Sequence, residues 1–187
     1  MTDELNSAPK KSSARSEAFE WAQTLISAVL LVVVVFTFVL RTVVVDGSSM
    51  NPTLYEGNTL IASRLFYEPK FGDIVVISQP NSHEKRLIKR VIATEGQTVF
   101  VDTENNIIYV DGEAIDDSFL GEPMNAIYGN EGPVVVPEGC VYVCGDNRNA
   151  SFDSRSPGLG FVRTDYISGR IVFGLSPFGT KMLYSRR

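Results

Sequence analysis

The sequence predicts a mostly β protein: a single N-terminal transmembrane helix followed by an antiparallel β-sheet domain that carries a β-rich insertion. Three observations predict it. Residues 21–40 form one uncharged apolar run, the rest of the chain is built from short β-branched and aromatic runs, and Gly, Pro, Asn and Asp punctuate those runs. With 187 residues, 44% hydrophobic and 21% charged, the chain has room for one anchor and one compact domain.

Residues 1–20, rich in Ser, Lys, Ala and Glu without hydrophobic periodicity, read as a disordered arm. The anchor follows at residues 21–40, from Trp21 to Leu40; as a helix this run spans ~30 Å, the thickness of a bilayer's hydrocarbon core. It exceeds the roughly 7 to 15 apolar residues of a cleavable signal peptide, and Arg41, Thr42 and Val43–Val45 follow it where a small-x-small site would stand. It also lacks the polar stripe expected of a buried core helix. Lys10, Lys11 and Arg15 precede the run, whereas Arg41 alone follows closely. The positive-inside rule therefore places the N-terminus in the cytoplasm and the domain at 42–187 outside, on a single-pass protein.

Strands are expected at Thr59–Ala62, Asp73–Ser78, Arg86–Ala93, Thr98–Val101, Asn106–Val110, Val134–Val136, Val141–Cys144 and Ile171–Gly174. Asp111-Gly112, directly after the Asn106–Val110 run, is a hairpin signal of the primed-turn kind. The segment from about 102 to 136, with its own Gly, Pro and Asn punctuation, reads as an insertion hanging from the main sheet. There is no internal repeat.

A net charge of −5 and a pI of about 4.9 argue against nucleic acid as a partner, which needs a basic face. Cys140 and Cys144 lie on one expected strand, with α-carbons roughly 13 Å apart at ~3.3 Å per residue. A disulfide needs less than about 7 Å, so both read as free thiols. The one histidine, His83, sits in a charged run, and no metal site is expected.

The run Val45-Asp46-Gly47-Ser48-Ser49-Met50-Asn51-Pro52 has the composition of a loop and offers Ser48 and Ser49 as hydroxyl nucleophiles. A Ser-His-Asp triad is not expected, because His83 is solvated. The remaining base is lysine, which acts only when neutral. Its pKa must fall from about 10.4 towards ~7 to 8, a change of about 4 kcal/mol that burial can supply. Lys89 is the lysine whose strand face carries apolar neighbours, Leu87 and Val91. Taken alone it reads more readily as an edge-strand lysine guarding against aggregation. Arg90 cannot replace it, since guanidinium keeps its proton. A third cluster, Gly145 to Arg155, holds Asp146, Arg148, Ser151, Asp153 and Arg155; alone it is a polar loop with ion pairs, in which Ser151 is a hydroxyl able to orient an amine.

Ser49-Met50-x-Pro52-Thr53-Leu54, Gly72-Asp73, Lys89-Arg90 and Gly145-Asp146-Asn147-Arg148-x-x-Ser151-x-Asp153-Ser154-Arg155, in this order behind an anchor, resemble the bacterial type I signal peptidase family of serine–lysine dyad proteases. The resemblance runs from the anchor to near the C-terminus. It implies Ser49 as nucleophile, Lys89 as general base, Ser151 holding the lysine amine, and Asp153–Arg155 as a supporting ion pair with Asp146–Arg148 as a second. It implies acyl-enzyme chemistry without a cofactor, an oxyanion hole using the Ser49 N–H, and cleavage after small residues. Where some members carry a serine two residues before the nucleophile, Gly47 stands here, so no second donor is assigned. Another departure is Ala93-Thr94-Glu95-Gly96-Gln97, which concerns a turn. Val43, Val45, Met50 and Ile88 are expected pocket walls. Signal-peptide-bearing preproteins would be the substrates, and the cell membrane's lipid bilayer and the neighbourhood of the secretion translocon the surroundings. The competing readings are a soluble self-cleaving relative, which the anchor disfavours, and a tethered β domain that binds peptides without cutting them.

Overall fold

The computed structural model describes residues 14–65, 67–78, 86–125, 132–176 and 179–181. Two compact units meet in sequence between Val39 and Leu40. The first holds α1 (Ala14–Phe38), which begins before the expected Trp21 and stops short of the expected Leu40. The stretch 14–20, expected as the end of a disordered arm, is helical because it contains neither Gly nor Pro and consists mainly of Ala, Arg, Glu and Ser, which an adjoining apolar helix readily recruits. The remainder of the expected arm, 1–13, lies outside the described residues. α1 is long and apolar enough to cross a membrane.

The second unit is a β domain. Its strands are β1 (Leu40–Val44), β2 (Thr59–Ser63), β3 (Ile74–Ile77), β4 (Leu87–Thr94), β5 (Thr98–Asp102), β6 (Ile107–Val110), β7 (Glu113–Ala114), β8 (Val134–Val135), β9 (Cys140–Cys144), β10 (Val162–Arg163), β11 (Ile167–Ser176) and β12 (Gly179–Lys181). The larger sheet runs β1-β2-β11-β3-β4-β9-β10, with β12 on β11; the smaller runs β7-β6-β5-β8. Every pairing is antiparallel. All eight expected strands are present. β1 escaped the sequence reading because its β-branched run Thr42–Val44 directly continues the apolar anchor, leaving no punctuation between them.

The insertion is the smaller sheet. It starts at β5 rather than near 102, since β5 pairs with β6 and β8 and not with the larger sheet. Asp111 and Gly112 adopt positive φ of 53° and 84° between partners Val110 and Glu113, the two-residue primed hairpin that their types favour. Glu95-Gly96 turns β4 into β5, with Gly96 at φ 79° and the Glu95 carboxylate accepting the Gly139 N–H at 2.8 Å.

Three apolar clusters hold the domain. One face of the larger sheet buries Val43, Val45, Met50, Leu54, Leu60, Ala62, Ile74, Val76 and Ile171. A second cluster gathers Val75, Ile77, Leu87, Val91, Val143 and Ile167. The third joins the insertion to the larger sheet through Val99, Val101 and Ile108 against Ile92, Tyr142 and Cys144. β4 supplies all three, Ile88 packing on the first, so a side chain on this strand is screened from water on both faces. Cys140 and Cys144 are free; burial pushes the Cys144 thiol up to about 12.

Candidate active site

The loop between β1 and β2 is closed at its base by Val45 N–H donating to Asn58 O at 2.9 Å and Gly57 N–H to Val45 O at 3.0 Å. Met50 and Leu54, 1% and 2% exposed, pin the loop to the first cluster. Gly47, at φ 85°, supplies a left-handed turn that a side chain would strain. Ser49 is thus half-buried beside its buried neighbour Met50.

Lys89 stands in the middle of β4, opposite Val75 of β3, and is 2% exposed. Leu87 and Val91 flank it, 2% and 0% exposed, as the strand alternation requires. Lys89 Nζ donates to Ser49 Oγ at 2.7 Å. Two residues forty positions apart are therefore in direct contact, and Lys89 is part of the interior, not an edge-strand lysine. Burial of this kind penalises an ammonium relative to an amine.

The loop from Gly145 to Arg155 clasps the Ser49 loop through its backbone. Asn147 N–H donates to Ser49 O at 3.0 Å, and Asn147 Nδ2 donates to Ser48 O at 3.3 Å. A β-carbon at Gly145 would lie 2.2 Å from Ser151 Oγ and 2.4 Å from Ser49 O, so space, not backbone conformation, demands glycine there. Sequence reasoning did not single Gly145 out beyond its place in the motif. Ser151 Oγ is buried and has no hydrogen-bond partner among the described residues; the bond to Lys89 that the resemblance implies is not formed. It does lie near enough to help hold the Asp153 carboxyl in its ionised form.

Arg155 grips Asp153 as expected, with Nε to Oδ1 at 2.8 Å and Nη2 to Oδ2 at 2.7 Å. Burial works to raise the Asp153 carboxyl, but the Arg155 bonds and the Gly145 N–H outweigh it and hold the group below its usual range. The expected Asp146–Arg148 pair is not formed. Asp146 instead takes Arg90, Nε to Oδ1 at 2.8 Å and Nη2 to Oδ2 at 2.7 Å, because Arg90 lies opposite Cys144, next to this loop. Arg148 donates from Nε to Gly145 O at 3.1 Å, which turns its guanidinium away from Asp146 and onto Asp117 of the insertion. Burial raises the Asp117 carboxyl above its ordinary value despite that partner. Arg90 also donates to Gly72 O at 2.7 Å and sits 4.9 Å over the Phe119 ring. The Lys89-Arg90 motif could have pointed to Arg90; nothing local marks Asp117.

All four expected pocket residues, Val43, Val45, Met50 and Ile88, line one groove with Ser49 and Lys89. Its walls are β1 and the first residues of β4. The groove also takes in Asp46, Gly47 and Arg86. His83 lies outside the described residues.

The Ser49 hydroxyl thus accepts a hydrogen bond from a buried primary amine, and both residues line one groove. The profile described as "Signal peptidase, peptidase S26" matches residues 18–175. A signal peptidase I from Bacillus licheniformis is 34% identical over 190 aligned residues, covering 95% of this chain and 96% of that protein. Signal peptidase I T of Bacillus subtilis (strain 168) shows the same identity and coverage, and a probable signal peptidase I-2 of Synechocystis is 35% identical over 91% of this chain and 80% of its own length. A crystal structure of a signal peptidase I from Enterococcus faecalis V583 aligns with 56% of this chain and 97% of its own at 27% identity and a TM-score of 0.44. The chain belongs to the signal peptidase family, peptidase S26, and is a hydrolase of its type I class.

Proposed function

We propose that this protein is a membrane-bound endopeptidase that removes signal peptides from exported preproteins, with Ser49 as nucleophile and Lys89 as general base. The observation that carries the reading is the 2.7 Å contact between the Lys89 amine and the Ser49 hydroxyl at a lysine only 2% exposed. A neutral Lys89 accepts the Ser49 proton as Oγ attacks the scissile carbonyl, and the resulting ammonium returns that proton to the leaving amine. Water activated by Lys89 then hydrolyses the acyl ester. The Ser49 N–H donates to no acceptor among the described residues and is free to meet the oxyanion. Once Ser49 is acylated its hydroxyl is no longer available to the amine. Ser151, buried and unbonded beside the same glycine, is the replacement partner. Arg90–Asp146, Arg148–Asp117 and Arg155–Asp153 brace the loops that carry these groups.

An extended peptide suits the groove. β1 is an edge strand, and the β9 ladder on β4 begins only at Arg90, so 87–89 face the groove with one edge open. A substrate strand can pair there while its small side chains one and three residues before the cut rest on Val43, Val45, Met50 and Ile88. Ser49 follows Arg41 by eight positions, at most roughly 30 Å of chain. That keeps the site near the level where an anchored signal peptide presents its cleavage site, close to the secretion translocon. The basic residues Lys10 and Lys11 ahead of α1 and Arg15 in its first turn favour a single pass with the N-terminus in the cytoplasm and the β domain outside.

The test is cleavage of a preprotein with an Ala-x-Ala site by detergent-solubilised wild type, Ser49→Ala, Lys89→Ala and, as a control, Lys70→Ala, whose lysine is exposed. Wild type and Lys70→Ala should cut and the other two should not. Cleavage by Ser49→Ala would remove the nucleophile assignment, and binding without cleavage by wild type would favour a peptide-holding domain.

A further inference from the structure

We propose that Arg41 and Arg86 read the charge of the substrate residue five positions before the cut, favouring a carboxylate there; this rests on the signal-peptide reading above. Arg41 and Val43 of β1 and Val45 just after it share one face by strand alternation, and they line the groove and the hollow that continues it together with Thr42 and Val44. Val43 and Arg41 stand opposite Leu60 and Ala62 of β2, both buried on that face at 0% and 3% exposed. On the facing wall Ile88 stands opposite Val76, and two residues further out comes Arg86. Arg41 and Arg86 line one hollow with Thr42, Ala62, Val76 and Ser78. That hollow shares Thr42, Val43, Ser78 and Arg86 with the groove at Ser49 and Lys89. The groove therefore passes from apolar walls beside the dyad to a guanidinium on each wall.

The register follows from the two-residue period of an extended peptide. If side chains one and three residues before the cut face the apolar walls, the next on the same face is the fifth, about 7 Å further along, where the arginines stand. Neither arginine has an acidic partner within ion-pair distance among the described residues. Asp46, the acidic residue of the groove, belongs to the Ser49 loop at the other end. Both arginines are solvent-exposed, so each contributes a modest, salt-sensitive preference and not an absolute requirement.

The experiment measures kcat/KM for three versions of one Ala-x-Ala preprotein, with Asp, Asn or Lys five residues before the cut, in neutral detergent at low salt and again at high salt. Wild type should prefer Asp over Lys by about tenfold at low salt, with Asn between them and the preference shrinking as salt screens it. Arg41→Gln/Arg86→Gln should bring the Asp/Lys ratio close to unity, and Arg41→Glu/Arg86→Glu should invert it. The ratio within each variant is independent of how much of that variant is folded. Equal rates on all three substrates by wild type, or a preference that survives the double Gln change, overturns the proposal while leaving the dyad intact. A charge effect that appears only in vesicles containing anionic lipid assigns the arginines to headgroups and overturns it as well. Failure to cut even the Asn substrate removes the signal-peptide reading itself, and this proposal with it.

Discussion

Arg148 and Asp117, thirty-one positions apart, close a two-bonded ion pair that ties the loop beside Ser49 to the insertion. The Arg148 side chain is 1% exposed and that of Asp117 26%. Replacing one partner leaves the other half-desolvated, at a cost of about 3 kcal/mol. The two partners differ in their escape route. Burial already raises the Asp117 carboxyl, and in Arg148→Met the loss of the cation raises it further. A folded pKa above the unfolded value of about 3.9 contributes stability at low pH that is lost as pH rises. The Arg148→Met deficit against wild type should therefore be larger at pH 8 than at pH 5. In Asp117→Asn the stranded guanidinium cannot shed its proton and the raised carboxyl is gone, so the deficit against wild type should not grow from pH 5 to pH 8. Denaturant midpoints of the detergent-solubilised proteins check this; a pH-independent deficit in Arg148→Met rules out titration of Asp117.

Gly145→Ala should damage turnover more than stability. Its β-carbon would collide with Ser151 Oγ and with the carbonyl oxygen of Ser49, pushing apart the two loops that position the nucleophile. Overpacking of this kind costs about 1 to 3 kcal/mol, whereas a displacement of about 1 Å at a reacting group can cost 100-fold in rate. Thermal midpoint and kcat measured on one preparation separate the effects. An unimpaired kcat would mean that Ser49 tolerates the shift.

Asp153 sets part of the acid limit of the fold. Its carboxyl is held below the unfolded value by Arg155 and the Gly145 N–H against the opposing effect of burial. The stability it contributes is fully present above about pH 4 and is lost as pH falls through the folded pKa. Asp153→Asn should lose about 3 kcal/mol at neutral pH, because it strands Arg155, and should show a shallower fall in stability between pH 4 and pH 2.5 than wild type. Parallel acid limbs for the two proteins would contradict this.

Much of the fold was legible because its signals are local. The Asp111-Gly112 hairpin, the β-branched runs and the uncharged anchor each report through a few adjacent residues. Lys89 was legible for a chemical reason: it alternates with Leu87 and Val91, and a lysine between two buried neighbours is itself enclosed. The pairing of Asp146 with Arg90 and of Arg148 with Asp117 was not legible, because ion-pair choice depends on which side of a strand or loop a guanidinium leaves. Arg148 is aimed by its bond to the Gly145 carbonyl, a backbone detail invisible in residue order. The resemblance implied an Asp146–Arg148 pair and named neither Arg90 nor Asp117 as a partner, whereas the fold joins Arg90 to Asp146 and Arg148 to Asp117. β1 was hidden for the opposite reason, since its valines merge with the apolar helix before it.

The role of Lys89 is open to a test that separates a base from a positive charge. Lys89→Arg keeps the cation but cannot accept a proton at working pH, and Lys89→Met keeps the length and removes the charge. Both should lose at least about 1,000-fold in kcat, the upper part of the range for general-base catalysis. Lys89→Met should match or exceed wild type in stability, since an apolar side chain suits a site that is 2% exposed for the lysine. In Lys89→Ala the vacated space is bounded by Leu87, Val91 and Ser49, and small primary amines such as ethylamine should restore part of the activity. That rescue should grow with pH, because the free amine is the active species. Substantial activity in Lys89→Arg would show that charge at this position suffices; rescue independent of pH would show that the added amine does not act by taking the Ser49 proton.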